Sequence, residues 1–352
     1  MRIRRSAGLS AAIAAAVVMV SGVPVSAAHA ADEDSSWAVA ATYAVPGTSA
    51  GRLALDDATG RLFVGAGWGS DVYTLDAATG TVLSTVSASP KPIAQPSNAW
   101  QPFIGFNRYT NRLWSANPSW NTYAPDAKGL PITGFSPDGR SRITVTGAND
   151  TVSSVAVNPS TNTIWATGQG VNRVDGNSGV AIVLASPGGS NQNGIAVDET
   201  TGYAFVAEGA GKAISVYSPT QAAGTGPIGT IPLTGPAGYL VIDQVNHLGY
   251  VLNMATQKIE TFTLSPTGFV LAHQSIESGF TAPEAVAPQI HALLAWSGNG
   301  KMSIVDQAAT GLPVRQTIDL GTNYLWGSVY SAKLNAFFIS TAAGVKVLKL
   351  NK

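Results

Sequence analysis

Residues 193–236 read NGIAVDETTGYAFVAEGAGKAISVYSPTQAAGTGPIGTIPLTGP, and this stretch decides the fold. Its four short apolar runs are separated by clusters of Gly, Thr, Pro and Asp, which is the pattern of short strands joined by turns. The stretch therefore predicts four antiparallel strands in about forty residues, the size of one propeller blade.

Six further segments repeat this unit, at spacings of 40 to 51 residues. Aligned on the turn between the first and second strands, the seven segments are LALD-DATG-RLFVG (53–65), IGFN-RYTN-RLWSA (104–116), VAVN-PSTN-TIWAT (155–167), IAVD-ETTG-YAFVA (195–207), LVID-QVNH-LGYVL (240–252), AVAP-QIHA-LLAWS (285–297) and SVYS-AKLN-AFFIS (328–340). A repeat of this size predicts an all-β, seven-bladed β-propeller with four-stranded antiparallel blades.

Two columns of the alignment predict the turn between the first two strands. A short polar side chain, which can bond the backbone two residues on, ends the first strand in five units: Asp56, Asn107, Asn158, Asp198 and Asp243. The last turn residue needs the left-handed conformation that Gly and Asn tolerate best: Gly60, Asn111, Asn162, Gly202, His247, Ala292 and Asn335.

A third column predicts the core. In six of seven units the third residue of the second strand is aromatic, as packing between adjacent twisted sheets requires: Phe63, Trp114, Trp165, Phe205, Tyr250, Ala295 and Phe338.

The seventh unit lacks a fourth strand of its own, since the chain given stops at Lys352 after its third strand. Residues 37–45 (WAVAATYAV) precede the first unit and have no other partner. We predict that they pair with residues 345–350, which closes the ring and removes an exposed sheet edge.

Residues 1–30 have the features of a signal peptide. Arg2, Arg4 and Arg5 precede an Ala-rich apolar run, and Ala28-His29-Ala30 is an A-x-A cleavage pattern. We expect cleavage near Ala30–Ala31, secretion, and a propeller domain over residues 31–352. The Arg4-Arg5 pair keeps twin-arginine export open beside the Sec route.

The composition and the charge of the chain limit the kinds of chemistry and of partner to be expected. Charged residues make up 11% of the chain and Cys is absent, which excludes disulfides and Cys nucleophiles. Without residues 1–30, which hold three arginines and no acid, acids exceed bases by three. This balance disfavours nucleic acid and anionic membranes as partners, and we expect a monomer without a membrane span.

The motifs DDATGRLFV, NPSTNTIWAT and DETTGYAFVAEG, with the D-x-x-T-G turns, resemble the YVTN/NHL-type repeats of secreted bacterial β-propellers. The resemblance covers nearly all of the chain after residue 30 and implies the same fold. It leaves the activity open, because related propellers include lactonases, streptogramin lyase-like and strictosidine synthase-like enzymes, and non-enzymatic binding proteins.

The predicted topology places the connections between second and third strands, and those between successive blades, on one face around the channel. We call it the site face and predict a ligand there, a small molecule, glycan or protein. Aromatic rings with polar residues between them suit a sugar or flat apolar ligand, although they could instead plug the channel. The predicted ligand-binding residues are Arg52, Trp68, Trp100, Phe103, Trp120, Tyr123, Asn193, Tyr239, Glu284 and Trp326.

The start of each first strand should face the channel, and we call these positions the rim residues: Arg52, Phe103, Ser154, Gly194, Tyr239, Glu284 and Gly327. Arg52 and Glu284 either form an ion pair there or contact charged groups of a ligand. The long segments 90–102 and 117–129 on this face are either functional or disordered.

No catalytic residue can be assigned. His247 and His291 belong to turns on the opposite face, and His273 belongs to an outer strand. We therefore favour a binding protein without a cofactor. The alternative is a metal-dependent lactone or ester hydrolase, or a lyase, with Ca²⁺ or another divalent cation in the channel. Its oxygen ligands would be Glu284 and Asn193, with Asn98, Asn149, Asp150 and Glu208 nearby.

Overall fold

Seven four-stranded antiparallel sheets make up the described part of the protein, a computed structural model, which confirms the predicted all-β fold. The first strand of each sheet contacts the first strands of the two neighbouring sheets, so these seven strands form a closed ring. The protein is a seven-bladed β-propeller. Among the residues described, no helix has the length and apolar character needed to cross a membrane.

The structure describes residues 36–46, 49–66, 71–88, 103–116, 132–148, 152–168, 170–187, 192–264, 271–275, 277–322 and 325–351. Within these ranges only the backbone is described for residues 152–153, 192–193, 271–274 and 325–326. The predicted signal peptide and the segments 90–102 and 117–129 lie outside the described residues.

The strands are numbered in chain order. The inner strands of the blades are β2 (Ala50–Asp56), β6 (Phe103–Asn107), β10 (Val152–Asn158), β14 (Gln192–Val197), β18 (Ala237–Asp243), β22 (Ala282–Ala287) and β26 (Leu325–Ser331). The second strands are β3 (Arg61–Ala66), β7 (Arg112–Ala116), β11 (Thr163–Gly168), β15 (Ala204–Glu208), β19 (Leu248–Asn253), β23 (Ala292–Trp296) and β27 (Ala336–Thr341).

The third strands are β4 (Asp71–Asp76), β8 (Ile132–Phe135), β12 (Val171–Asp175), β16 (Ala213–Tyr217), β20 (Lys258–Thr263), β24 (Lys301–Asp306) and β28 (Gly344–Asn351). The outer strands are β5 (Val82–Ser87), β9 (Arg142–Thr144), β13 (Ala181–Leu184), β17 (Gly229–Pro232), β21 (Leu271–Gln274), β25 (Val314–Asp319) and, in the seventh blade, β1 (Ser36–Tyr43).

The N-terminal strand closes the ring as predicted. β1 pairs with β28 from Trp37 opposite Leu350 to Tyr43 opposite Val345. The backbone N–H of Trp37 donates to Gln316 Oε1 on the sixth blade, and Gln316 Nε2 donates to the Trp37 carbonyl, both at 2.8 Å. The Tyr43 hydroxyl donates to the carbonyl of Ala77 on the first blade at 3.1 Å. β1 therefore joins three blades.

The aromatic column forms the core between blades. The aromatic side chains predicted there are all fully buried: Phe63, Trp114, Trp165, Phe205, Tyr250 and Phe338. Each of seven hydrophobic clusters combines residues from two neighbouring blades, one cluster for each contact around the ring. Because hydrophobic burial scales with apolar area, these contacts hold the blades together.

The turn chemistry is also as predicted. Asn107 Oδ1 accepts from the Tyr109 N–H at 2.9 Å, and Asp243 Oδ1 accepts from the Val245 N–H at 2.9 Å. Asn162 and His247 adopt the left-handed conformation, with φ of 51° and 53°.

The sixth blade departs from the predicted alignment by one residue. β22 ends at Ala287, and a short 3-10 helix (Pro288–Ile290) follows, so His291 rather than Ala292 is left-handed, with φ of 50°. The aromatic column is consequently occupied by Leu294, not Ala295. Pro288 explains the shift, because proline has no N–H with which to extend the strand ladder.

Candidate functional site

The strand registers define the site face. Ala50 at the start of β2 pairs with Ala66 at the end of β3, and Asp71 at the start of β4 pairs with Ser87 at the end of β5. The inner strands therefore begin at the face that carries the second-to-third-strand connections, as the topology predicts. His247 and His291 occupy turns at the opposite ends of the strands.

A cavity of about 150 Å³ lies where the inner strands begin, and all seven rim residues line it. Three of them, Ser154, Gly194 and Gly327, are small and leave space at the centre of the ring. The other four project large side chains from blades one, two, five and six: Arg52, Phe103, Tyr239 and Glu284. The cavity is thus built from the channel ends of the seven inner strands.

Backbone irregularities shape this rim. In six of the seven inner strands the pairing register with the second strand shifts at the channel end. In β22, Pro283 pairs with Ala295 and Ala285 pairs with Leu294, so Glu284 is the extra residue of a β-bulge. Bulges of this kind re-aim a side chain, which explains why Glu284 lines the cavity although its strand is offset from the predicted alignment.

Arg52 reaches across the channel. Its guanidinium carbon lies 4.6 Å from the centre of the Phe103 ring and 5.5 Å from that of the Tyr239 ring, within the range of cation–π attraction. The stem of Arg52 passes Gly327, where an added Cβ would lie 3.4 Å from Arg52 Cδ. Gly327 has φ of 148°, so glycine is required there for backbone conformation.

Glu284 is an acid in a largely desolvated site. Burial raises the pKa of the Glu284 carboxyl to about 7, and the positive charge of Arg52 only partly opposes this effect. The two side chains form no ion pair within 4.0 Å, so the ion-pair alternative is not what the structure has. The Ser328 hydroxyl oxygen is buried at the cavity wall and has no hydrogen-bond partner among the described residues.

The structure brings together four of the predicted ligand-binding residues: Arg52, Phe103, Tyr239 and Glu284. For Asn193 and Trp326 it describes only the backbone, next to Gly194 and Gly327. Four predicted aromatic residues lie outside the described residues and stay predictions: Trp68, Trp100, Trp120 and Tyr123.

Glu208 does not belong to this cavity. Its buried carboxylate accepts a hydrogen bond from Ser186 Oγ at 3.1 Å, between the third and fourth blades. Sequence reasoning missed Ser328, which directly follows a rim residue. The repeat alignment could have identified it as a strand position beside the channel.

Across the described part of the chain, no group of three or more His, Asp or Glu residues is arranged to hold a metal ion. The proposed channel cation stays a hypothesis, because the side chain of Asn193 and the neighbouring loops are not described.

No known protein family has a profile that matches this sequence, and no curated protein matches it at a significant level. A function for this chain therefore has to be inferred from its fold and from the chemistry of the cavity.

Proposed function

We propose that the protein is a binding module that takes a small molecule, or the end of a glycan or protein ligand, at the channel mouth of the site face. The observation that carries this proposal is the meeting of Arg52, Phe103, Tyr239 and Glu284 from four blades around one cavity. Convergent polar and aromatic groups in a concave site are the usual features of ligand pockets.

The cavity volume limits what binds in it. Pockets for drug-sized molecules span roughly 300–1,000 Å³, whereas this cavity measures about 150 Å³. A single ring or a chain end therefore fits inside, and the rest of a larger ligand would contact the site face. Tyr239, with 41% of its surface exposed, offers a ring to such a ligand.

Binding can be tested by thermal shift and tryptophan fluorescence with a panel of monosaccharides, short glycans and single-ring aromatic compounds. We expect at least one class to bind, and Tyr239→Ala to weaken it by about tenfold or more, because a stacking surface is lost. The matched control is Tyr109→Ala, which removes a ring that is 68% exposed on the opposite face. A panel without binders, or equal effects of the two variants, would contradict the proposal.

Two finer proposals concern ancestry and location. We infer that the repeats are of the YVTN/NHL type, supported by the D-x-x-T-G turns and by the seven four-stranded blades. We also propose that residues 1–30 direct secretion, supported by their basic, apolar and A-x-A segments. N-terminal sequencing of the exported protein should find Ala31 first; retention of residues 1–30 would contradict the second proposal.

An enzyme is the second candidate, and the raised pKa of Glu284 favours it. A carboxyl that titrates at about pH 7 is suited to general acid–base catalysis. The metal-dependent form of the hypothesis differs: an ionised Glu284 and Asn193 would hold a divalent cation for lactone or ester hydrolysis, or for a lyase reaction. Elemental analysis with an EDTA thermal shift separates the candidates: a stoichiometric metal and Glu284-dependent turnover of a lactone panel support the enzyme.

A further inference from the structure

In the described part of the cavity, the guanidinium of Arg52 has no carboxylate in direct contact. Among the described residues that line it, the titratable ones are Arg52, Tyr239 and Glu284. No described carboxylate lies within 4.0 Å of the guanidinium, and no described acceptor forms a hydrogen bond with it. The rings of Phe103 and Tyr239 attract its charge, but a ring face does not replace the two hydrogen bonds that a carboxylate accepts from arginine.

We propose that the cavity binds a small carboxylate-bearing molecule, whose carboxylate pairs with the guanidinium of Arg52 and whose single ring or short chain lies against Tyr239. This inference rests on the proposed binding function of the site face and names the chemistry of its ligand. The planar fork of arginine matches a carboxylate with two parallel hydrogen bonds, which makes the pair directional as well as charged.

Among the described polar groups around the cavity, Arg52 is the one suited to recognise a carboxylate. The Ser328 hydroxyl oxygen has no hydrogen-bond partner among the described residues, but it is closed off from the cavity surface and offers no donor to a ligand. Glu284 lines the same cavity but forms no ion pair with Arg52, so the guanidinium has no direct contact with a described carboxylate.

The size of the cavity limits the size of the group that carries the carboxylate of the ligand. An apolar cavity of about 150 Å³ in another protein holds benzene, and the cavity here has about the same volume. One six-membered ring fits, from either a sugar acid or an aromatic acid. A cationic ligand would meet the charge of Arg52 in a space too small to avoid it.

Matched pairs of ligands test the carboxylate directly. Isothermal titration calorimetry would compare glucuronate with glucose, and benzoate with benzyl alcohol, on the purified protein at pH 6.5. We expect the acid of at least one pair to bind tenfold or more tightly than its neutral partner. Which pair shows the preference distinguishes a sugar acid from an aromatic acid.

Two variants test which residues of the cavity recognise the carboxylate. Arg52→Gln should abolish the preference for the acid over its neutral partner, since the charge that pairs with the carboxylate is removed. The control Arg140→Gln removes an arginine that is 88% exposed and should leave the affinity for both ligands unchanged. Glu284→Gln at pH 8 should strengthen acid binding by about threefold or more, because a nearby negative charge is removed. This second variant leaves Arg52 in place, so it tests the proposal even where Arg52→Gln does not fold.

The outcomes separate this inference from the proposed function. If acids and their neutral partners bind equally and this binding is lost in Tyr239→Ala, the proposal that a carboxylate is recognised is wrong. The proposal that the site face binds a ligand would still hold. An acid preference that persists in Arg52→Gln, or an unchanged affinity in Glu284→Gln, would also overturn it. Absence of any Tyr239-dependent binding would overturn both proposals.

Discussion

Glu284 shows how far the fold changes the chemistry of one residue. In an unfolded chain its carboxyl ionises near the ordinary value of 4.5, whereas burial raises its pKa to about 7 in the folded protein. Folding therefore binds a proton between these values. The contribution of Glu284 to stability is fully present below pH 4.5 and is lost as the pH rises through 7.

Glu284→Gln should remove this pH dependence. The stability of the variant relative to the unsubstituted protein should rise by about 2–3 kcal/mol between pH 5 and pH 8.5, because glutamine has no charge to desolvate. Urea unfolding across this pH range measures the difference. Asp138→Asn is the control, since a hydrogen bond from Ser136 holds the pKa of that exposed carboxyl below its usual value. Parallel stability curves for Glu284→Gln and the unsubstituted protein would contradict the prediction.

Phe205 is one of the aromatic side chains of the column that packs between neighbouring blades. Its ring is fully buried and lies 5.4 Å from the ring of Phe262 on the next blade. Phe205→Ala should lower the free energy of unfolding by about 3–5 kcal/mol, through lost burial and the cavity that remains. Tyr109→Ala, at an exposed turn position, should stay within about 0.5 kcal/mol. Chemical denaturation measures both, and similar effects would show that Phe205 does not hold two blades together.

At the scale of elements, the inner strands combine a regular ladder with an irregular end. Near the turns their pairing is in register, as at Asp56 opposite Arg61. At the channel end, register shifts place Arg52, Tyr239 and Glu284 in or beside bulges. The regular part builds the blade, and the bulged part aims side chains at the cavity.

The strand β1, which closes the ring, is held in part by the side chain of Gln316, whose amide takes the place of the backbone hydrogen-bonding groups of a neighbouring strand. Gln316 makes two hydrogen bonds to the peptide groups of Trp37, as a neighbouring strand would. Gln316→Ala should cost about 1–2 kcal/mol, because partly buried backbone groups lose their partners. It should also speed hydrogen exchange at the Trp37 amide.

The control for Gln316→Ala is Thr85→Ala, an exposed position on the outer strand β5. It should leave exchange at Trp37 and stability unchanged. If exchange at Trp37 stays slow in Gln316→Ala, the strand pairing with β28 holds β1 by itself.

For the whole molecule, stability comes from a closed ring of equivalent contacts. Seven clusters join seven blades, and the one between the seventh and first blades includes Tyr43 and Val45 from the N-terminal segment. Without that segment β28 would become an open edge, free to pair with another chain.

Deleting residues 31–46 should therefore destabilise the entire protein. We expect a melting temperature lower by several degrees or more, and concentration-dependent association in light scattering, since the edge of β28 becomes exposed. Deleting residues 31–35 instead removes no residue of β1 and should have neither effect. An unchanged melting temperature in the longer deletion would show that the ring does not depend on closure by β1.

Much of this architecture follows from the sequence alone. The repeat, the turn residues such as Asn107 and Asn162, the aromatic column and the closing strand were predictable, because they depend on alternation along a strand and on local turn chemistry. The one misplaced unit, around Pro288, shows that a single proline can shift such an alignment by a residue.

The site could be predicted only in part, since alignment shows which residues share the rim but not how they meet. Tertiary structure decided that Arg52 reaches Tyr239 across the channel, that Glu284 is desolvated without pairing with Arg52, and that Ser328 lies at the cavity wall. The physical reason is that distances across the ring, and the bulges that aim the side chains, depend on blade twist and ring closure. Strand periodicity encodes neither.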